Sequence, residues 1–536
     1  MSKLVPLPLK IPPGVVKGNT DSDTPGRWFD TQLVRWVEGV LRPCGGWELI
    51  VVISEVFGDE LREIVEPGKE EREDIDPGIE LRDVGISTPI RKAHRWTDNV
   101  GVTRVGILSE KGIHVLQGEI IQDITPIDFV GPDGNITDGG YGDYEYNFDT
   151  YGTPRPEVDA IQYPGPAYSM DNWGEDLIIM SSYDGRLLRW KPSVGGEAIV
   201  VPNAPISNRS FVITSQRHVI IFGMGGDNRA WGWCSQEDIE DWDFANPLNT
   251  AGAYWIEPAA FIVGGSVVGA RVVFFTTRKV YGVSYLGTPY IYTYEEIGDG
   301  MTPISDASMV SAGDRLIWPA DSGFFQSDGL NVTLVPCTIF DWFRQTLNRS
   351  YARHRTAGFY LGIQPEAWFF FPSRGETEND RYLMVDVTTG DWANGSLKRN
   401  CGIPGTYIDY PYMFKFNEIY QHEYGNSYGG AERPYAESGA INLESGASNT
   451  YIGKLITDHG TNYDSVEYSF FGRQKRVKPY DKNEWVNGPL VAYDDGYLDV
   501  RDTARDWRMK IQTRFDDREP WSMGQTILLV SYRGGR

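Results

Sequence analysis

Apolar and polar positions alternate along this chain in short runs, and one arrangement recurs: an apolar run, a short turn of Gly, Asp, Ser or Lys, then a second run carrying aromatic residues. It reads VGILSEKGIHVLQG from Val105, LIIMSSYDGRLLRW from Leu177, VIIFGMGGDNRAWGW from Val219 and VVFFTTRKVYGVSYLG from Val272. It returns as LIWPADSGFFQSDG from Leu316, WFFFPSRGETENDRYLMVDV from Trp368 and, more faintly, MFKFNEIYQHEYG from Met413. Strict alternation bounded by turn formers predicts antiparallel hairpins. From the second copy onward the starts lie 42 to 53 residues apart, the period of a four-stranded propeller blade. A lone blade cannot bury both faces, and radial packing about an axis solves that problem. The expected fold class is therefore all-β, a β-propeller of about six to seven blades, with a stack of hairpins in a sandwich as the competing architecture.

The remaining segments break the pattern. Residues 1–45 combine a proline-rich start with the amphipathic stretch GRWFDTQLVRWVEGVLRPCGGW, which reads as a docking arm whose Trp28 and Trp36, with Trp47 just beyond, supply aromatic interface anchors. Residues 46–92 read as an acidic insert or small lobe, its charge concentrated in EVFGDELREIVEPGKEEREDIDPGIELRD. The propeller is placed at 93–434, with an exposed loop at 127–168 whose Gly-Tyr alternation cannot build a core strand. Residues 435–536 carry longer strand candidates that either close the propeller or form a separate small β-domain. One helix is expected from Pro336, with Ile339, Phe340, Phe343 and Leu347 on one face.

Charge and composition narrow the function classes. The formal net charge of −24 disfavours a grip on nucleic acid, which depends on clustered Lys and Arg. Cys44, Cys234, Cys337 and Cys401 have no metal-ligand or disulfide-framework spacing and read as free thiols. The MSKLVPLPLKIPPGVV start lacks the apolar core of a signal peptide, and no run reaches the length of a membrane span, so membrane insertion is not expected. His94, His114, His218, His354, His422 and His459 form no zinc-binding helix motif, and there is no nucleophile elbow; catalytic, cofactor and metal sites are all expected to be absent. Asp184-Gly185 reads as a two-residue hairpin turn. The pairs Asp241-Trp242, Asp341-Trp342, Asp391-Trp392 and Asp506-Trp507 read as strand-end tryptophans packing between blades. Asp494-Asp495 and Asp516-Asp517 read as exposed turns, and the basic run from Arg473 to Lys478 as a contact with an acidic neighbour or a solvated edge.

Several stretches, in order, resemble the head-to-tail connector or tail nozzle proteins of short-tailed (podovirus-like) bacteriophages: IPPGVV from Ile11, GRWFDTQLVRWVEGVLRPCGGW from Gly26, and IRKAHRWTDNVGVTRVGILSEKGIHVLQG with DITP ending at Pro126. Similar too are YGTPR ending at Arg155, WGWCSQEDIEDWDFANPLNTAG from Trp231, and the closing DWRMKIQ and GGR. The 54–89 insert departs from the family pattern. The resemblance implies a non-enzymatic virion protein made in the host bacterial cytoplasm and assembled as a hexameric ring in the tail. Such a ring meets the phage adaptor or portal and the tail fibre or spike proteins, retains packaged DNA, and passes it without specific binding. The alternative is a propeller-type glycan-binding or glycan-degrading tail protein, which requires Arg and carboxylate side chains converging at one propeller mouth.

Overall fold

The computed structural model describes residues 4–18, 26–54, 82–83, 88–118, 120–132, 164–256, 260–429, 433–441, 443, 449–458, 466–473, 489–491, 497–514 and 520–533. The bulk of the acidic insert and of the 127–168 loop, YGTPR, both aspartate pairs, His459, the 474–478 run and the closing GGR lie outside them.

Seven antiparallel sheets follow one another along the chain, six of them simple four-stranded meanders. Their innermost strands are Ile90–Thr97, Tyr168–Trp173, Ser210–Ile213, Ile262–Val268, Val310–Ala312, Ala357–Tyr360 and Cys401–Ile403, and each packs beside the next until the seventh meets the first. This is a closed seven-bladed propeller. The seven recurrent hairpins of the sequence are its blades' second and third strands, such as Asp176–Ser181 with Leu188–Trp190 and Glu366–Phe371 with Arg381–Asp386. These strands are covered on both faces by neighbouring blades, so their apolar runs are the densest in the chain. Interblade cores are aromatic: Phe275 meets Trp318 at 4.8 Å between the fourth and fifth blades, and Phe324 meets Trp392 at 4.6 Å between the fifth and sixth.

Closure of the ring comes from the N-terminal side. The seventh blade has three local strands, Cys401–Ile403, Tyr412–Lys415 and Glu418–His422, and its fourth is Trp47–Ser54, paired antiparallel to Glu418–His422. A segment assigned by sequence to the acidic insert is thus part of the propeller, which begins at Ile90 and takes in 47–54. The strand is illegible locally because its partner lies in the last blade.

The C-terminal segment is a separate β-domain, which settles the choice left open above, and it is completed by the N-terminal arm. One sheet orders Val5–Leu9, Thr526–Arg533, Asn449–Ile456 and Tyr497–Ala504; the other orders Trp28–Gln32, Tyr435–Ser438, Asp506–Thr513, Val466–Arg473 and Pro489–Val491. Their facing residues, including Ile452, Leu455, Tyr468, Phe470, Met509, Ile511 and Leu528, merge with the cores of the fifth and sixth blades into one cluster. In the strand Val5–Leu9, Pro6 and Pro8 stand opposite Leu529 and Ile527. Between the two domains runs the hairpin Val34–Val37 and Val40–Pro43.

The expected helix is broken in two, α1 (Phe340–Thr346) and α2 (Arg349–Arg355), because Asn348 caps a second start, its side chain accepting from Ser350 N at 3.2 Å. Ile339, Phe343 and Leu347 are buried as expected. The Asp184-Gly185 turn is longer than two residues: the connection runs from Ser181 to Leu188, and Asp184 is engaged by the Arg186 guanidinium at 2.6 and 2.7 Å. Among the Asp-Trp tryptophans Trp392 begins a strand and packs between blades, and Trp242, though not at a strand end, also packs in the core between the second and third blades. Trp242 lies in a third-blade loop, Trp342 in α1 and Trp507 in the C-terminal domain.

Candidate functional site

In a four-stranded meander, the start of the innermost strand and the turn between second and third strands share one end. That end of the propeller gathers the charged side chains of the axis. From the first blade come Arg91 and Lys92 at the strand start and Glu110 in the turn; from the sixth, Arg355 at the close of α2 and Glu378; from the seventh, Asn400. Arg91 donates to Glu110 at 2.8 and 3.0 Å and to Glu378 at 2.7 and 2.8 Å. Arg355 lies 2.8 Å from Glu110 and 3.0 Å from Glu378, and Asn400 donates to Glu378 at 2.8 Å. Two guanidiniums and two carboxylates alternate with no net charge. Burial works against the Glu378 charge, but the donors from Arg91 outweigh it and hold this carboxyl below its usual range. The ring of charges joins the first blade to the sixth over the end of the seventh, reinforcing the seam at which the propeller closes.

The same mouth is crossed by the chain leading into the second blade. Gly165 passes so near α2 that a Cβ there would stand 2.1 Å from the Arg353 carbonyl oxygen, so only glycine fits. On its other side the Gly165 carbonyl accepts from Arg209, which also donates to Val263 O at 2.6 Å. Desolvation lowers the Arg209 pKa to about 10, with Asp306 opposing. Asp306 projects from the fifth blade into the space a Gly264 side chain would fill; desolvation raises its carboxyl to about 6 against the pull of Arg209 and Lys92. Through these contacts the Gly165 segment is tied to the third, fourth and sixth blades at this end.

Among the described residues no group of three His, Cys, Asp or Glu side chains is placed to hold a metal ion. The histidines are dispersed: His218 donates to or accepts from Tyr292 OH at 3.1 Å and lies 3.4 Å from Thr250, and desolvation lowers its pKa to about 4. His422 accepts from Arg399 Nε at 3.0 Å. The four cysteines are free thiols, three of them buried, and desolvation raises Cys234, Cys337 and Cys401 to about 12, which leaves them inert.

Trp28, Trp36 and Trp47, expected to anchor an external partner, are 2%, 5% and 8% exposed within the chain itself. Trp28 is in the C-terminal domain's second sheet, Trp36 in the connecting hairpin, and Trp47 heads the closing strand against His422 and Tyr428. The arm docks, but on its own propeller and C-terminal domain, so these rings are not available as intermolecular anchors. Sequence reasoning recognised the aromatic spacing; it could not tell an internal partner from an external one, and it missed the Arg91–Glu110–Arg355–Glu378 ring, whose members lie in four separate segments.

No family model and no curated protein matches the chain. Among solved structures, virginiamycin B lyase from Staphylococcus aureus is similar at 10% identity with a TM-score of 0.37, over 62% of this chain and 94% of that one. The β-propeller domain of Cps50 (Swd1) from Myceliophteria thermophila gives 10% identity and a TM-score of 0.35, over 63% and 99%. YCF48 bound to D1 peptide gives 11% and 0.34, over 63% and 92%. Likeness at this level concerns the propeller fold alone.

Proposed function

We propose that this chain is a structural subunit of a bacteriophage tail nozzle or head-to-tail connector ring, which retains packaged DNA and forms the channel for its ejection. The observation that carries the reading is the use made of the family-like stretches: they are joints. Val15, within IPPGVV, donates its N–H to Trp392 O at 2.8 Å and accepts from Thr338 at 2.5 Å, tying the arm to the sixth blade. GRWFDTQLVRWVEGVLRPCGGW supplies strands to the C-terminal domain, the bridging hairpin and the ring closure in turn. A stretch used this way specifies a rigid body, and no reactive centre is built from it. The conduit in this reading is the lumen between copies in a hexameric ring. A net charge of −24 keeps that lumen from holding DNA. The adaptor or portal above and fibre or spike proteins below are the partners, and the virion tail is the location.

Electron microscopy of the source particles tests this. An axial ring of this chain between head and tail tip is the expected result; its absence from virions, or its presence as peripheral spikes, overturns the assignment. Mixing the protein with labelled duplex DNA at low salt should give no tight, salt-sensitive complex.

The convergence of Arg91, Arg355, Glu110 and Glu378 at one mouth is what favours the second reading, a glycan-binding or glycan-degrading tail protein. Their mutual ion pairing counts against it, since each carboxylate is already engaged. Glycan-array binding lost in Glu378→Gln would support that reading over the first.

A further inference from the structure

A second set of buried charges surrounds the strand that closes the ring, away from the axial mouth. Arg35, on the bridging hairpin, directs Nη1 and Nη2 to the two oxygens of Glu423 at 2.9 and 2.5 Å. Glu423 directly follows Glu418–His422, the strand to which the closing strand Trp47–Ser54 is paired, and it also accepts from Gly45 N at 3.1 Å. The Nε of Arg35 faces Glu366 of the sixth blade at 2.9 Å, and Trp368 Nε1 donates to Glu366 at 3.0 Å. Asp386 stands opposite Glu366 in the strand register, Tyr360 and Tyr382 flank it, and the Cys44 thiol lies beside Arg35. Behind Glu423, His422 and Arg399 stack on Trp47, with the Arg399 carbon 5.3 Å from that ring and 4.2 Å from Tyr420.

One guanidinium therefore serves two carboxylates where little water reaches; Arg35 and Glu366 are 5% and 4% exposed. A buried pair with good geometry is tolerable, whereas a further unbalanced charge is costly. We propose that Glu366 is a proton-operated clasp: protonated, it leaves Arg35 and Glu423 balanced and the hairpin locked on the closing strand; ionised, it adds a surplus negative charge that loosens hairpin and ring closure together. Burial, together with Glu423 and Asp386, outweighs Arg35 and the Trp368 donor and raises the Glu366 carboxyl to about 7, within reach of ordinary changes of pH.

Cys44 reports on the clasp, because it ends the hairpin, is 4% exposed, and is fixed by Cys44 N to Leu33 O at 2.8 Å and by Tyr428 OH to its carbonyl at 2.7 Å. The full chain is pulsed with a maleimide from about pH 5.5 to about pH 8.5, and modification of Cys44 is located by mass spectrometry and divided by the rate of a matching peptide, which removes thiolate chemistry. The normalised rate should rise roughly tenfold across neutral pH, as a shift of about 1.4 kcal/mol in opening gives, and should stay low and flat in Glu366→Gln. A flat wild-type profile, or an equal rise in the variant, overturns the proposal. Should the variant fold poorly, hydrogen exchange of Trp47–Ser54 in the wild type decides: protection corrected for intrinsic exchange must fall as pH rises from about 5.5 through about 7 and then level off, and unchanged protection refutes the clasp.

Discussion

Gly165 illustrates how single positions govern the axial mouth. Its backbone passes against the Arg353 carbonyl and is gripped by Arg209, so a methyl group has no room. Gly165→Ala should cost about 1–3 kcal/mol, read as a lowered midpoint in urea unfolding with the slope unchanged. His218 carries a pH signature of definite sign. It is wholly buried beside Tyr292, and its folded pKa of about 4 lies below the unfolded value of 6.5. The unfolded chain then binds the proton more tightly, so this stability is full above 6.5 and is lost as pH falls through that window toward 4, by up to about 3 kcal/mol. His218→Gln should flatten that part of a stability-versus-pH curve measured by urea titration; an unchanged slope would show that the acid sensitivity comes from elsewhere.

Among the elements, the junction between the sixth blade and the arm solves an edge problem. The outermost strand Trp392–Ser396 would present unpaired backbone groups, and side chains of Trp28–Gln32 meet them. Thr31 Oγ1 donates to Asn394 O at 2.8 Å and accepts from Asn394 N at 3.0 Å; Gln32 Nε2 donates to Ser396 O and its Oε1 accepts from Ser396 N, both at 2.7 Å. Gln32→Ala should leave two of these groups unmet, costing about 1–3 kcal/mol, and speed amide exchange at Ser396 more than at Leu383 in the blade's interior. This also marks how far the chain could be read. The seven central hairpins were legible because each couples neighbouring segments through a local turn and is apolar on both faces. Trp47–Ser54 was not, because its long pairing among the described residues is with Glu418–His422, and a strand whose partner is remote carries no local trace of it. Trp28, Trp36 and Trp47 were recognisable as anchors, yet whether an aromatic ring meets its own chain or another is settled only by the closed topology.

At the scale of the molecule, the fifth and sixth blades and the C-terminal domain share one apolar core, and Asp30 sits at the joint, accepting from Lys17 at 2.8 Å and from Asn394 and Tyr435 at 2.9 Å. Calorimetry should therefore give one transition for both domains. A chain ending at Pro434 should not behave as a folded monomer, since it uncovers Trp28 and the apolar side of the sixth blade; two resolved transitions, or a stable truncated propeller, would contradict the shared core. One edge of the C-terminal domain has a further consequence. Pairing with Thr526–Arg533 must use the N–H groups of Val5, Leu7 and Leu9, because Pro6 and Pro8 have none to give. The outward rim of that strand then offers acceptors without donors. Wherever many copies are crowded together, this rim is a poor template for another strand, so that side of the sheet ends at Val5–Leu9 instead of growing into a neighbour.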